Sequence, residues 1–251
     1  MIILLAPSKN LNSTKRIIPC DYSIPKFLKE AEVLVETLRG IQPNALAKAF
    51  KTNSKITNIN VERFYNWETP FTTENAIPAA IAYDGAVYRA LNAQSFDLAD
   101  WEYANKNLRI LSGLFGILKP NDLIQPYRLD VGTKLPTISI KNLYEYWNKK
   151  IELTFSEIAN NKLILNLASS EYSKMLDLTK WKNMLISPDF MEDGPNGYRN
   201  VIIYTKKARG LMTRFVIKNK IDNPIDLQAF NEEGYWYQPH LSTFNKPVFI
   251  R

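Results

Sequence analysis

The side chains best placed to do chemistry in this chain are cations, and they cluster. From Gly194 to Ile221 there is no Asp or Glu, whereas Arg199, Lys206, Lys207, Arg209, Arg214, Lys218 and Lys220 all fall in that stretch. These seven charges equal the formal net charge of the whole chain, +7. On a helix, Lys207, Arg214 and Lys218 stand at i, i+7 and i+11, close to one face, with Ala208, Leu211, Met212, Phe215 and Val216 on the buried side. A rigid basic face suits a row of phosphates, because each one neutralised releases condensed counterions. The alternative is a solvated helix face, but such faces usually mix signs to gain i,i+4 pairs and this one does not.

A second set of polar residues sits where strands are expected to end. Ser8 and Lys9 follow the apolar start of the chain, Asp84 follows a short apolar run, and Tyr127, Arg128 and Asp130 close the segment Gln125-Pro126-Tyr127-Arg128-Leu129-Asp130. Arg128 suits phosphate or carboxylate. With Lys206 and Arg209 these are general acid–base and anion-binding types, which keeps open an enzyme acting on a small anionic substrate. A deep pocket would favour that enzyme; a long open groove would favour a polynucleotide. The segment Leu38–Leu46, between two helical stretches, loosely resembles a helix-hairpin-helix turn, with Gln42 where a second glycine is expected.

Several chemistries are excluded or disfavoured. One cysteine, Cys20, forbids an intrachain disulfide, and one histidine, His240, lies 220 positions away, so histidine–cysteine zinc sites cannot be assembled. Neither G-x-x-x-x-G-K-[ST] nor G-x-G-x-x-G occurs, and no Glu-x-x-His pattern suggests an iron site. We expect no cofactor and no bound metal, although an all-carboxylate site is not excluded by composition.

The elements that must position these residues are legible as short runs. Strands are expected at Ile2–Leu5, Ala79–Tyr83, Leu108–Leu111, Leu163–Leu167, Val201–Thr205 and Val248–Ile250, each rich in Ile, Leu or Val. Helices are expected at Lys26–Arg39, Asn142–Asn160 and Lys206–Lys220. Asp193–Gly197 reads as a surface turn, and Tyr235-Trp236-Tyr237 as the most exposed aromatic set. No linker or repeat interrupts the alternation, so residues 1–251 are expected to form one α+β domain with a central mixed sheet flanked by helices. The apolar start lacks the basic leader of a signal peptide, and no apolar run approaches a membrane span; a cytoplasmic location is expected.

Taken together, Ala6-Pro7-Ser8-Lys9, Tyr83-Asp84-Gly85-Ala86-Val87-Tyr88, Leu111-Ser112-Gly113-Leu114-Phe115-Gly116, Gln125-Pro126-Tyr127-Arg128-Leu129, Asn166-Leu167-Ala168-Ser169 with Glu171-Tyr172, and Lys206-Lys207-Ala208-Arg209-Gly210-Leu211-Met212 resemble the YaaA peroxide-stress family in order and over essentially the whole chain. The resemblance implies a family-specific, cantaloupe-like mixed fold. It also implies protection from peroxide, an effect on free iron, and DNA binding, linked to recombination and repair, through a basic cleft and a helix-hairpin-helix. On that reading Lys9, Arg128, Lys206, Lys207, Arg209, Arg214 and Lys218 meet DNA backbone, with Ser8, Asp84, Tyr127 and Asp130 as further cleft candidates. No membrane and no obligate protein partner is implied. About four neutralised phosphates would weaken binding on the order of a hundredfold between about 50 and 200 mM salt.

Overall fold

The computed structural model describes residues 1–14, 17–136, 140, 142–195 and 197–251. Five strands make the main sheet: β1 (Ile2–Leu5), β2 (Leu108–Ser112), β3 (Gly116–Leu118), β4 (Ile164–Asn166) and β5 (Leu185–Ile186). Their order is β3-β2-β1-β4-β5. Strands β1, β2, β4 and β5 are parallel, and β3 returns antiparallel to β2. β1 is wholly buried, as a central strand covered on both faces must be. The chain lays down β2 and β3 on one side of β1, then β4 and β5 on the other. The order therefore reverses between β1 and β4, and in parallel sheets such a reversal opens a crevice beyond the carboxyl ends of the two strands.

A smaller sheet, β6 (Asp189–Met191), β7 (Trp236–Tyr237) and β8 (Val248–Ile250), has the order β6-β8-β7. The helices include α1 (Leu28–Arg39), α2 (Pro43–Phe50), α3 (Ser54–Asn66), α4 (Ala86–Leu91), α5 (Leu98–Asn107), α6 (Leu143–Ala159) and α7 (Ile202–Lys218). Helix α6 starts where the Asn142 side chain accepts the Glu145 N–H at 2.8 Å, satisfying one of the orphan donors of the first turn. It buries Leu143, Trp147, Ile151 and Phe155, spaced four residues apart on one face. Trp147 donates its indole N–H to the Gly113 carbonyl at 2.8 Å and packs where a Gly116 Cβ would sit, 2.7 Å from its ring. Helix α5 begins with a reciprocal box: Asp97 accepts the Asp100 N–H at 2.8 Å, and Asp100 accepts the Asp97 N–H at 3.2 Å.

Two expected strands are corrected. Ala79–Ala82 is a helical turn, and only Tyr83–Asp84 pairs as a strand, antiparallel to Asn10–Leu11. Val201 flanks α7, and Ile202 and Ile203 lie in its first turn, 72% and 63% exposed. A short β-branched run has no period long enough to separate a buried strand from an exposed first helical turn. The aromatic set also divides: Tyr235 is buried in a cluster with Phe190 and Phe230, and only Trp236 is well exposed. The turn at 193–197 closes through Gly197 N–H to Gly194 O at 2.9 Å, with Asn196 outside the described residues.

Helix α7 seats on α4 by a backbone approach that only glycine permits. A Cβ on Gly210 would collide with the Val87 carbonyl and lie 2.8 Å from the Ala90 Cβ. We expect Gly210→Ala to lower stability by about 1–3 kcal/mol through overpacking, despite alanine's better helix propensity. A urea melt checks this; a stabilised variant would show that the two helices do not meet there.

Candidate anion-binding cleft

The seven cations of the 194–221 stretch do not form one outward ridge. Lys207 is 2.5 Å from Glu233 Oε1. Lys218 and Lys220 converge on the two oxygens of Asp100, at 2.6 and 2.5 Å. Arg214 donates to the Leu91 carbonyl at 3.1 Å, the Asn92 carbonyl at 3.2 Å and Ser95 Oγ at 2.8 Å, with its guanidinium 5.6 Å from the Phe96 ring centre. The face shared by Lys207, Arg214 and Lys218 is therefore turned onto the protein's own framework, whose acceptors come from distant parts of the chain. Among the described residues, Arg199, Lys206, Arg209 and Arg214 have no ion pair, and of these Arg214 is taken up by carbonyls and Ser95. Lys206 and Arg209, three positions apart on α7, both reach the crevice at the β1/β4 reversal.

That crevice is a cavity of about 530 Å³. One wall is Ala6–Asn10, which continues β1; another is Leu167, Ser169, Glu171 and Tyr172, which continue β4; Gly85–Tyr88 and the start of α7, including Ile203, complete it. The size falls within the range of small-molecule sites. Ser8 donates its hydroxyl to the Asp84 carbonyl, and Gly85 leaves room for it, since a Cβ there would lie 2.6 Å from Ser8 Oγ. Tyr88 donates to the Ala6 carbonyl at 2.8 Å. Lys9 pairs with Asp130 at 3.0 Å across the cavity rim while 61% exposed. Such an exposed pair holds loosely and yields to a competing anion at little cost. Burial depresses the Arg209 guanidinium below its ordinary value, with Asp189 pulling the other way. Burial also pushes the Tyr88 and Tyr172 hydroxyls well above the usual phenol range, so they stay protonated and serve as hydrogen-bonding groups, not bases. The cleft thus offers two cations without an ion pair, a displaceable third, apolar wall area, and carboxylates at Asp130 and Glu171.

Of the sequence candidates, Ser8, Lys9, Asp130, Lys206 and Arg209 are brought together here, and the others are not. Asp84 presents only its carbonyl to Ser8; its carboxylate binds Arg89 through bonds of 2.7 and 3.0 Å, which hold it below the usual carboxylate range. Tyr127 is buried beneath, bonded to Tyr83 at 2.6 Å and Ser112 at 2.8 Å, and burial pushes its hydroxyl up to about 12. Arg128 does not line the cavity; it is half-buried close enough to Arg63 to depress that guanidinium, second to burial itself, and its Nε is buried without a partner. Gly40 is in the right-handed region at φ −74°, so the 38–46 turn lacks a left-handed glycine. The helices that pack as neighbours are α2 and α3, joined through Lys51 at φ 51° with Asn53 accepting the Ile56 N–H at 2.9 Å. Glu171, Tyr172 and Tyr88, which carry the family resemblance but were not among the site candidates, also line the cavity; their signal is position just beyond a strand end or in its neighbouring turn. Among the described residues there is no cluster of three or more His, Cys, Asp or Glu suited to a metal ion, and no helix long and apolar enough to cross a membrane.

Fold and site define a mixed α/β protein with a cleft lined by Lys9, Lys206 and Arg209 at the strand-order reversal of a mainly parallel sheet. The chain belongs to the YaaA peroxide stress protein family, whose model matches residues 1–241. It is similar to a UPF0246 protein of Marinomonas sp. strain MWYL1, 39% identical over 252 aligned positions covering 100% of this chain and 97% of that one. It is equally similar, at 39% identity over 100% of both chains, to a UPF0246 protein of Flavobacterium johnsoniae.

The internal fate of the ridge cations has a pH signature. Burial pushes the Asp100 carboxyl up, but hydrogen bonds from Lys218, Lys220 and the Asp97 N–H together outweigh it, leaving its pKa below the ordinary value. Its contribution to stability is then complete above the unfolded-chain pKa of about 3.9 and is lost as pH falls through the lower folded value. Asp100→Asn is expected to reduce stability at neutral pH and to flatten the acid limb of a stability–pH curve from chemical melts. An acid limb as steep as wild type would show that Asp100 does not hold the two lysines.

Proposed function

We propose that this chain serves the response to peroxide by binding DNA at the cleft, gripping a phosphate-bearing nucleotide rather than laying duplex along a ridge. The observation that carries this reading is the pairing of Lys206 and Arg209: neither has a carboxylate partner among the described residues, and both line one cavity, whereas Arg214 is held by two carbonyls and Ser95 away from it. Arg209 supplies a planar fork for phosphate, and Lys206 a mobile point charge. Lys9 joins them by exchanging Asp130 for a phosphate oxygen. Ile203 and Leu167 give a sugar or base an apolar surface, with Tyr172 beside them as a hydroxyl donor. The recognition is of backbone charge and of a nucleotide's bulk, and carries no sequence readout.

A second reading is favoured by the cavity's compactness and by Asp130 and Glu171 within it. On that reading the cleft takes a small free anion and the carboxylates move protons on it. The two separate by length dependence, since a polynucleotide ligand gains from phosphates beyond the cavity and a small substrate does not.

With two to three phosphates neutralised, affinity for a single-stranded 5′-phosphorylated oligonucleotide should fall about seven- to twentyfold between about 50 and 200 mM salt. In fluorescence anisotropy the double variant Lys206→Glu, Arg209→Glu is expected to lose at least about tenfold in affinity, while Lys207→Gln, already satisfied by Glu233, stays within about twofold. Unchanged binding in the double variant removes the DNA reading. A mononucleotide that binds as tightly as the oligonucleotide selects the small-anion reading instead.

A further inference from the structure

At the opposite end of the main sheet lies a second, smaller cavity, of about 270 Å³, between β3, the far half of α6 and the segment around Ile24. It is lined by Arg109, the second residue of β2, which is only 7% exposed. A guanidinium cannot shed its charge to relieve burial, and burial does depress it. Nη1 is fully used, donating to the Asn105 carbonyl at 2.8 Å and the Leu108 carbonyl at 2.7 Å. Nε and Nη2 donate to no described residue, and they are not among the side-chain atoms sealed from solvent without a partner, which are Trp67 Nε1 and Arg128 Nε. The unused edge of Arg109 therefore opens on the cavity.

Its nearest carboxylate is already committed. Asp122 accepts the Ser23 hydroxyl at 2.6 Å and the Lys119 N–H at 2.7 Å, and no oxygen of it comes within ion-pair distance of Arg109. The Nε–Nη2 edge left free is the one by which Arg89 holds Asp84 in this same molecule, and it matches the two oxygens of a carboxylate. Most of the remaining wall is aliphatic, from Ile24, Ile117, Leu118 and Ile158, with the hydroxyl of Thr154, and Lys26 and Lys119 also line it. A volume of about 270 Å³ is on the order of nine waters, enough for a molecule of about seven non-hydrogen atoms. A neutral hydrocarbon would leave the free edge of the guanidinium unpaired.

We propose that this cavity is a binding site for a monocarboxylate with a short branched aliphatic body, its carboxylate forked on Arg109 Nε and Nη2 and its methyl groups against Ile117 and Ile158. The site is remote from the cleft and does not depend on the DNA reading. The test uses the full chain with labelled isoleucine methyl groups, titrated with 3-methylbutanoate and, in parallel, with the isosteric 3-methylbutanamide. Saturable shifts of the Ile117 and Ile158 methyls by the acid, at least about tenfold weaker with the amide, are expected. Arg109→Gln should abolish the response. Because that change also removes the bonds to two carbonyls, Ile158→Trp serves as an independent variant that fills the cavity and leaves Arg109 in place; it too should abolish binding. No saturable shift up to about 10 mM acid, an amide that binds as well as the acid, or undiminished binding in folded Ile158→Trp would each overturn the proposal.

Discussion

The arrangement rests on the contact between α7 and α4, where Gly210 brings one helix against the carbonyl of Val87 in the other. That approach fixes both the height and the rotation of α7. Its first turns then overhang the ends of β1 and β4, so that Ile203, Lys206 and Arg209 enter the crevice. Its last turns fall beside α5 and the turn after α4, where Asp100 and the carbonyls of Leu91 and Asn92 take up Lys218 and Arg214. One helix thus carries two sets of cations with opposite fates. Buried or half-buried charges need partners, and the partners for one set are built in.

Asp100 shows how the parts depend on one another. The same side chain closes the first turn of α5, accepting the Asp97 N–H, and receives two ammonium groups, one from the last residue of α7 and one from just beyond it. It is 118 and 120 residues from its lysines. A charge count over a local window cannot see such a partner, which is why the uninterrupted basic stretch suggested a surface that the folded chain does not present. The absence of acidic residues nearby in sequence reflects where the helix docks.

Much of the framework was nevertheless legible. The strands at Ile2–Leu5 and Leu108–Leu111, the stripe of α6 and the buried side of α7 follow from period and composition, because they meet a core on a fixed face. Ser8 and Lys9, read from sequence as lying at a strand end, do line the cleft, and so do Lys206 and Arg209 from one turn of α7. Tyr127 and Asp84 share the neighbourhood in sequence but not the cavity: the first turns down into a hydrogen-bonded tyrosine cluster, the second outward to Arg89. Which way a side chain turns at the end of a segment is decided by the neighbours it finds, and the sequence does not print those. Arg109 went unnoticed for the same reason, sitting as one cation inside an apolar strand.

Membership of the peroxide-stress family gives the cleft a biological setting, and Lys206 and Arg209 in its lining are the basis of the proposed phosphate grip. The most direct measurement is a backbone-amide NMR map of the labelled protein titrated with a 5′-phosphorylated oligonucleotide. The account predicts perturbations concentrated at 6–10, 167–172 and 203–210, around the ends of β1 and β4. Shifts spread instead along Lys207, Arg214 and Lys218, with the crevice silent, would contradict it.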